Sequence, residues 1–269
     1  MSNFCLFCKK QSVGNFFKAW DSTNYFFCIK CGCSSALDNN DLTYEESYWS
    51  EIIDPDGNKR NLLNEKEFKI KNWYGNVINF INQKSMPNSK VLDIGAGLGH
   101  LISSLRSDIK KYAIDVSNYS INFINENYPE IETKCGKFNY DEYENEFFDI
   151  IVTYHVIEHL NDPHTFLENL KQKLKKNGIL IIGTPNGTSL AAKIFKGNFR
   201  LYSKGHLIIF SKKSLIKLLI SYNFEIIKTE FPYFKTNYFN FRNILRMFFY
   251  KEISPPFYGS IMTAYARKI

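Results

Sequence analysis

The stretch Val91-Leu-Asp-Ile-Gly-Ala-Gly-Leu-Gly99 places three glycines in five positions, directly after a short apolar run that carries a carboxylate, Asp93. Glycine at a strand-to-helix turn lets a ligand approach the backbone closely, and nucleotides are the commonest ligands held in this way. The stretch therefore predicts a buried strand, a ligand-binding loop and the start of a helix.

Four compact apolar runs, at residues 91–94, 112–114, 150–153 and 179–182, predict strands buried on both faces of a parallel sheet. Helical patterns lie between them. Asp162 and Pro163 form an N-cap and a first turn, and Asn64-Glu-Lys-Glu67 has the spacing of a capping box. This alternation predicts an α/β fold with a doubly wound sheet, and ligands bound beyond the carboxyl ends of its strands.

The glycine loop also separates two classes of nucleotide ligand. A dinucleotide fingerprint has the spacing G-x-G-x-x-G, whereas here the third of Gly95, Gly97 and Gly99 falls one residue early. The Asp93 carboxylate would repel a pyrophosphate, but it suits a cofactor that carries a sulfonium and an ammonium group. Asp115, at the end of the second predicted strand, is placed to accept hydrogen bonds from two ribose hydroxyls. These features fit S-adenosylmethionine (SAM).

Three parts of the chain together resemble class I SAM-dependent methyltransferases: residues 91–99, Asp115, and the segment Phe148-Asp-Ile-Ile-Val-Thr-Tyr-His-Val-Ile-Glu-His-Leu-Asn-Asp-Pro163. The resemblance implies a seven-stranded, doubly wound, Rossmann-like methyltransferase sheet, with the methionine part of the cofactor over residues 93–99 and the adenine near residues 137–139. Many relatives carry an acidic residue where this chain has Lys137, so the adenine contact is expected to pass to Phe138 or Asn139. The implied cofactor-binding residues are Asp93, Gly95, Gly97, Gly99, Asp115, Phe138, Asn139 and Thr153.

Three further segments narrow the resemblance within the superfamily. They are Ile157-Glu-His-Leu160, Gly183-Thr-Pro-Asn186 and Gly205-His-Leu-Ile-Ile-Phe-Ser211. They look like the branch that contains ubiquinone-type O-methyltransferases, small-RNA 3′-end methyltransferases and enzymes of surface-glycan clusters. The implied acceptor is a small polar molecule, anionic or nucleotide-linked, such as a sugar or phosphorylated intermediate of surface-polysaccharide synthesis.

Four side chains are candidates for acceptor activation: His155, Glu158, His159 and His206. On a helical turn the first three would share one face, directly after the fourth predicted strand. Related families place E-x-x-E-H and a distal histidine here to hold a divalent metal, and in this chain His155 replaces the first glutamate. Three imidazoles and one carboxylate would favour zinc, manganese or iron over magnesium. Three roles remain open for the group: a base that removes a hydroxyl proton, a second metal site, or a structural tie.

Five of the six cysteines lie within the first 33 residues. The two C-x-x-C pairs formed by Cys5, Cys8, Cys28 and Cys31 have the spacing of a zinc ribbon, in which four thiolates complete a tetrahedron around a structural zinc ion. A pair of disulfides or idle thiols is the alternative, and Cys33 is surplus to a four-coordinate site. The predicted organisation is a ribbon at 1–40, a linker at 41–63 and a methyltransferase domain at 64–269 with a specificity insertion at 231–258.

The charge and composition bear on partners and location. The net charge of +7 favours an anionic partner, and no window approaches the roughly 20 apolar residues of a membrane span. A cytoplasmic enzyme is expected. An RNA methyltransferase that grips nucleic acid with its ribbon is the main alternative, but no arginine-rich tract supports it. A non-catalytic binding module is a third reading, and Tyr48 and Trp49 are candidates for a lid or for inter-domain packing.

Overall fold

The computed structural model describes residues 3–38, 46–53, 59–232, 245 and 253–269. The strands in these residues are β1 (Phe4–Cys5), β2 (Lys10–Gln11), β3 (Gly14–Lys18), β4 (Asn24–Cys28), β5 (Ser34–Ala36), β6 (Ile52–Ile53), β7 (Lys59–Arg60), β8 (Lys90–Ile94), β9 (Lys110–Asp115), β10 (Ile131–Cys135), β11 (Phe148–Tyr154), β12 (Leu174–Pro185), β13 (Ile208–Ile209), β14 (Phe224–Glu230) and β15 (Ile261–Lys268). The α-helices are α1 (Glu46–Ser50), α2 (Lys66–Lys69), α3 (Gly75–Lys84), α4 (His100–Ser103), α5 (Asn118–Asn127), α6 (Pro163–Lys173), α7 (Leu190–Phe195) and α8 (Lys212–Ser221).

The central sheet has seven strands in the order β10-β9-β8-β11-β12-β15-β14. Strands β8 to β12 pair in parallel, while β15 runs antiparallel to both β12 and β14. Each of the four predicted strands is present, with one or more additional residues at its ends. The predicted α/β fold with a Rossmann-like, seven-stranded sheet is therefore confirmed.

The core consists of two apolar layers, one on each face of this sheet. Neighbouring strand residues alternate between them, so Leu92 and Ile151 lie in one layer while Val91 and Val152 lie in the other. Burial on both faces explains why these strands appear in the sequence as uninterrupted apolar runs. It also leaves the loops after β8, β9 and β11 together at one edge of the sheet.

Two helix starts can be compared with their predictions. Asp162 caps α6 as predicted, because its side chain accepts hydrogen bonds from the backbone of His164 and Thr165 at 3.0 and 3.1 Å. The predicted capping box at Asn64 is wrong. Asn61 is the capping residue instead, and its side chain accepts from Leu63 N at the start of a 3₁₀ turn, Leu62–Asn64. Helix α2 then continues through a π-helical turn, Ile70–Tyr74, into α3.

The N-terminal cysteines belong to a small antiparallel region, as predicted for a ribbon. Its sheet has the order β13-β5-β4-β3, so a fourth strand comes from residues 208–209, far along the chain. The boundary at residue 40 stays a prediction. The expected linker at 41–63 is described only at 46–53 and 59–63. Most of the expected insertion, from 233 to 252 apart from Leu245, lies outside the described residues.

Candidate functional site

The glycine loop between β8 and α4 is held open by three glycines with left-handed backbone. Their φ angles are +73° at Gly95, +54° at Gly97 and +71° at Gly99. At Gly95 a Cβ atom would also lie 2.3 Å from Val156 Cγ2, which no side chain could accommodate without movement. Glycine is therefore required at this position by both conformation and space.

Asp115 ties this loop to the end of β9. Its Oδ2 accepts a hydrogen bond of 2.8 Å from Gly97 N, and its Oδ1 accepts one of 2.9 Å from Ser117 N. Burial raises the pKa of Asp115, while these backbone donors act in the opposite direction. The carboxylate is thus fixed at the rim of the loop, and each oxygen retains a further lone pair.

Asp93 lies at the end of β8 with only 3% of its surface exposed. Burial, followed by repulsion from Asp115, raises the pKa of Asp93 to about 8. In the ligand-free protein this carboxyl group is therefore mostly protonated at neutral pH. A cationic ligand placed beside it would favour the ionised form, which is the property that a carboxyl group facing a sulfonium and an ammonium needs.

The other predicted cofactor residues lie around the same edge of the sheet. Thr153, on β11 beside Ile94, is fully buried, and its hydroxyl has no hydrogen-bond partner in the described part of the chain. Buried hydroxyls are nearly always hydrogen-bonded, so a bound ligand or water is one explanation for this unpartnered group. Phe138 is half-buried and stacks on Tyr143, whereas Asn139 is exposed and accepts a hydrogen bond from Asp141 N.

Trp49, on α1, covers part of the glycine loop. Its ring is 8% exposed, and it packs with Leu62 and Leu98. Its Nε1 donates a hydrogen bond of 3.3 Å to Ser117 Oγ, next to the Asp115 carboxylate. These contacts lie in the expected linker and methyltransferase domain, so both expected roles of Trp49, a lid and inter-domain packing, stay predictions.

His155 and Glu158 form a hydrogen-bonded pair directly after β11. His155 Nδ1 lies 2.9 Å from Glu158 Oε1, and Thr184 Oγ1 donates to Glu158 Oε2 over 3.0 Å. Burial alone would raise the pKa of Glu158, but the His155 hydrogen bond and the nearby imidazoles lower it to about 2. The carboxylate is therefore ionised, and it selects the His155 tautomer with the proton on Nδ1 and the lone pair on Nε2.

The predicted helical turn covers only part of this group. A 3₁₀ turn, Ile157–His159, carries Glu158 and His159, whereas His155 precedes it with a φ of +55°. His155, Glu158, His159 and His206 consequently form two separate contacts. His155 bonds to Glu158 from one side, and His159 meets His206 on the other, with ring centroids 4.8 Å apart.

Glu158, His159 and His206 bring their ligand atoms within 4.8 Å of one another, in an arrangement that could hold a metal ion. Each imidazole donates Nδ1–H to a backbone carbonyl, His159 to Gly205 O at 2.8 Å and His206 to Leu201 O at 2.7 Å, which directs both Nε2 lone pairs elsewhere. Burial, and after it His159, lower the pKa of His206 to about 4. This imidazole is therefore neutral at neutral pH. His155 is not a member of this group of three.

A cavity of about 200 Å³ opens at the same edge of the sheet, between the start of α3 and the ends of β11 and β14. Its lining includes the polar residues Lys71, Asn72, Asn76 and Glu230. Tyr154, the residue before His155, also lines it. The cavity is therefore lined by several polar residues, and it reaches the residue that precedes His155.

A sequence profile described as a methyltransferase domain matches residues 68–229, which is more than half of the chain. The chain belongs to this family. The matched residues include the glycine loop, Asp115 and the segment with His155 and Glu158. The chain contains a class I SAM-dependent methyltransferase domain, as the resemblance in its sequence implied.

Curated relatives of the methyltransferase include ubiquinone biosynthesis O-methyltransferases. The protein of that name from Pelagibacter ubique is 30% identical over 156 residues, which cover 53% of this chain and 61% of the relative. The one from Rickettsia typhi is 33% identical over 106 residues, covering 38% of this chain and 43% of the relative. The chain thus spans about half of the length of these two relatives.

Solved structures similar to the methyltransferase show the same fold. A SAM-dependent methyltransferase from Thermotoga maritima is 20% identical with a TM-score of 0.52, over 77% of this chain and 96% of that one. Magnesium protoporphyrin IX methyltransferase from Synechocystis, solved with bound SAH, is 13% identical with a TM-score of 0.54, over 86% of this chain and 90% of that one. In the described part of the methyltransferase, no helix combines the length and apolar character of a membrane span.

Four cysteines of the methyltransferase form the predicted cluster. The sulfur atoms of Cys5, Cys8, Cys28 and Cys31 all lie within 4.8 Å of one another, and all six cysteines of the chain are free thiols. Burial alone would raise the pKa of Cys28, but hydrogen bonds to its sulfur lower it to about 7. Four sulfur ligands at this spacing are the donor set of structural zinc sites. Cys33 lies outside the cluster and is buried in the main core.

Two residues at the site were not singled out from the sequence. Thr184, which binds Glu158, was present only as part of the Gly183-Thr-Pro-Asn186 motif. Tyr25 donates from its hydroxyl toward Ser203 O and His206 O, at 3.0 and 2.8 Å. No local pattern marks Tyr25, because its partners lie 178 and 181 residues away.

Proposed function

We propose that the methyltransferase transfers the methyl group of SAM to a hydroxyl of a small polar acceptor, a sugar or a nucleotide-linked or phosphorylated intermediate of surface-polysaccharide synthesis. The names of the curated relatives, which are O-methyltransferases, support an oxygen acceptor. The polar cavity beside Tyr154 supports a small hydrophilic molecule, and the net charge of +7 supports an anionic one.

The cofactor site is the part of the proposal with the most complete set of residues. When bound, SAM supplies a methyl group on a positively charged sulfur. Asp93 would face the cationic groups, Asp115 would accept hydrogen bonds from the ribose hydroxyls, and Gly95 and Gly97 would let the ligand approach the backbone. Thr153 would find a partner for its orphaned hydroxyl. Phe138 and Asn139 would border the adenine.

The observation that carries the catalytic proposal is the 2.9 Å contact between His155 and a fully buried, ionised Glu158. His155 would accept the hydroxyl proton at Nε2 as the oxygen takes the methyl group, and Glu158 would stabilise the imidazolium that forms. Glu158 is itself oriented by Thr184 and by Leu207 N, which donates to its backbone carbonyl. The pair is therefore held rigidly, as a base that must meet one atom requires.

A second divalent metal is compatible with the same place. Glu158, His159 and His206 would hold it, because both imidazoles present Nε2 and have their Nδ1 protons fixed by carbonyls. Such an ion would lower the pKa of a bound hydroxyl. Two imidazoles and one carboxylate suit zinc, manganese or iron better than magnesium. The four cysteines would hold a separate structural zinc ion in the N-terminal ribbon at 1–40.

The test measures transfer of labelled methyl from SAM to nucleotide sugars, sugar phosphates, free sugars and RNA. On the accepted substrate, His155→Ala should lower turnover roughly 10²- to 10⁴-fold, because a general base contributes that much. Glu158→Gln should lower turnover in the same way. The affinity for SAM should stay within about twofold of the wild-type value in both variants. His164→Ala is the matched control, since His164 binds Phe7 O at the ribbon and lies outside this group.

Three outcomes separate the alternatives. Loss of turnover in EDTA, restored by adding a divalent ion while the ribbon zinc is retained, would assign Glu158, His159 and His206 to a metal. Full turnover in both His155→Ala and His159→Ala would contradict a catalytic role for the group. Transfer to RNA, with none to the sugars, would overturn the proposed acceptor class.

A further inference from the structure

Residues 202–209 form a segment that connects the N-terminal sheet to the rest of the methyltransferase. Strand β13 pairs with β5, and Ala36 N donates a hydrogen bond of 2.8 Å to Leu207 O. Asp21 accepts from Lys204 N, and Ser34 Oγ shares a hydrogen bond of 3.1 Å with Tyr202 OH. The segment is thus bound along most of its length by the cysteine-containing region.

The opposite side of the same segment forms part of the candidate active site. Gly205 O accepts the Nδ1 proton of His159, and Leu207 N donates to Glu158 O, each over 2.8 Å. His206 contributes its imidazole from this segment. Whatever fixes residues 203–206 therefore also fixes two imidazoles and the carbonyl that sets the tautomer of one of them.

Tyr25 connects the N-terminal sheet to the turn formed by residues 203–206. It lies on β4 and is fully buried, with its ring stacked on Phe17 at 5.5 Å and packed against Tyr202 at 5.1 Å. Its hydroxyl lies 3.0 Å from Ser203 O and 2.8 Å from His206 O, so its one proton is shared between two carbonyls. Removing this hydroxyl would leave both carbonyls without that donor in a buried place.

We propose that Tyr25 is a positioning residue for the active site: the N-terminal ribbon, through this hydroxyl, holds the turn at 203–206 and so sets the imidazoles of His159 and His206. Any effect of Tyr25 on turnover rests on the function proposed above. Its effect on the positions of the His159 and His206 imidazoles does not depend on that function. The ribbon is then a support for the catalytic loop, in addition to any role of its own metal. Strand β13, which pairs with β5 as the fourth strand of the N-terminal sheet, directly follows residues 203–206 along the chain.

The experiment compares the full-length protein with Tyr25→Phe, which removes a single oxygen atom. ¹⁵N-labelled histidine side chains report the tautomer and the hydrogen bonds of each imidazole, and His159→Asn and His206→Asn assign the two signals. In Tyr25→Phe both signals should move, and hydrogen exchange at the Leu207 amide should quicken about tenfold or more, because the turn opens more often. The His164 signal should stay in place.

The matched control is Tyr202→Phe. Tyr202 is also buried, and its ring packs on Phe17 as that of Tyr25 does, but its hydroxyl bonds to Ser34 Oγ and not to residues 203–206. Because this bond also ties the segment, but at residue 202 and outside 203–206, Tyr202→Phe should move the His206 signal and the Leu207 exchange rate by much less than Tyr25→Phe does. Asp21→Ala, a change at the surface that frees Lys204 N, provides a second probe should Tyr25→Phe fail to fold. It should move the His206 signal in the same direction by a smaller amount.

Turnover separates this inference from the proposed function. If both are right, Tyr25→Phe lowers kcat about tenfold, the effect of one buried hydrogen bond, while the KM for SAM is unchanged. Moved imidazole signals with full kcat would support the positioning and contradict a role of His159 and His206 in turnover, while leaving the proposed role of His155 untouched. Unmoved imidazole signals in a folded Tyr25→Phe, or in Asp21→Ala where Tyr25→Phe does not fold, would overturn the inference whatever the turnover.

Discussion

The indole of Trp49 lies against Gly97: a Cβ atom on this glycine would be 3.3 Å from the ring carbon Cη2 of the tryptophan. The contact connects α1, from the expected linker, to the loop on which we expect the cofactor to bind. A ligand that enters this loop must therefore either contact the indole or displace it.

Binding of S-adenosylhomocysteine should consequently change the tryptophan fluorescence of the protein. Trp49→Phe should abolish most of this change and weaken binding about threefold to tenfold, the range expected for loss of aromatic packing. Trp20→Phe is the control. Trp20 lies in the N-terminal region, where its Nε1 donates a hydrogen bond to Arg200 O. A fluorescence change that survives in Trp49→Phe but disappears in Trp20→Phe would contradict the placement of the cofactor.

Asp93 should make SAM binding depend on pH. Its pKa of about 8 means that the ligand-free carboxyl is protonated below that pH, while a cationic ligand requires the ionised form. Binding below pH 8 should therefore release up to one proton, and the affinity should rise with pH by up to about tenfold per unit before it levels off. Calorimetry in buffers with different ionisation enthalpies measures this proton release directly.

The control for this effect is Asp93→Asn, which has no ionisable group at the position. It should bind the cofactor more weakly, with no proton release and a flatter pH profile between pH 6 and pH 8. Equal proton release in Asp93→Asn and in the wild type would show that another group is responsible.

The cysteine cluster should contain about one zinc ion per chain when the protein is prepared without chelator. Cys28→Ser should lose the zinc and lower the melting temperature, because four sulfur ligands complete the site. Cys33→Ala should retain the zinc, since Cys33 is outside the cluster. Elemental analysis measures both variants, and less than about half an equivalent in the wild type would count against a structural zinc site.

Glu158 should stabilise the fold only where it is ionised. Its pKa falls from 4.5 to about 2 on folding, so its contribution is complete above 4.5 and is lost as the pH falls towards 2. Glu158→Gln should therefore lower the free energy of unfolding by about 1.5–3 kcal/mol at neutral pH, the value of a buried hydrogen bond to a charged group. Denaturation in urea at pH 7 and pH 3 tests this, and an equal difference at both values would refute the mechanism.

The sheet could be predicted from the sequence because its strands are buried on both faces, which leaves a continuous apolar run at each of them. Asp115 could be placed for the same reason, since it ends such a run. The start of the helix after Asn61 could not be placed: Asn61 and Asn64 are both acceptable caps, and only the turn between them decides which one is used.

The histidine group shows where local patterns stop being informative. The spacing of His155, Glu158 and His159 predicts one helical face. His155 instead takes a left-handed backbone conformation, which residues other than glycine rarely adopt. Its contact with Glu158 is present, but His155 lies before the helical turn and outside the group formed by Glu158, His159 and His206. The support of His206 by Tyr25 depends on pairing between β5 and β13, and long-range pairing leaves no periodic signal in either segment.

Strand β15 is made after β12 and β14 during translation, yet it lies between them and pairs with both. Until residues 261–268 emerge from the ribosome, the edge of β12 presents unpaired backbone groups over residues 179–185, and β14 has no neighbour in the sheet. Exposed edges of this kind invite pairing with other chains. The nascent protein therefore passes through an aggregation-prone state after β14 is made and before β15 emerges, when the strands of the cofactor-binding half of the sheet have already been made.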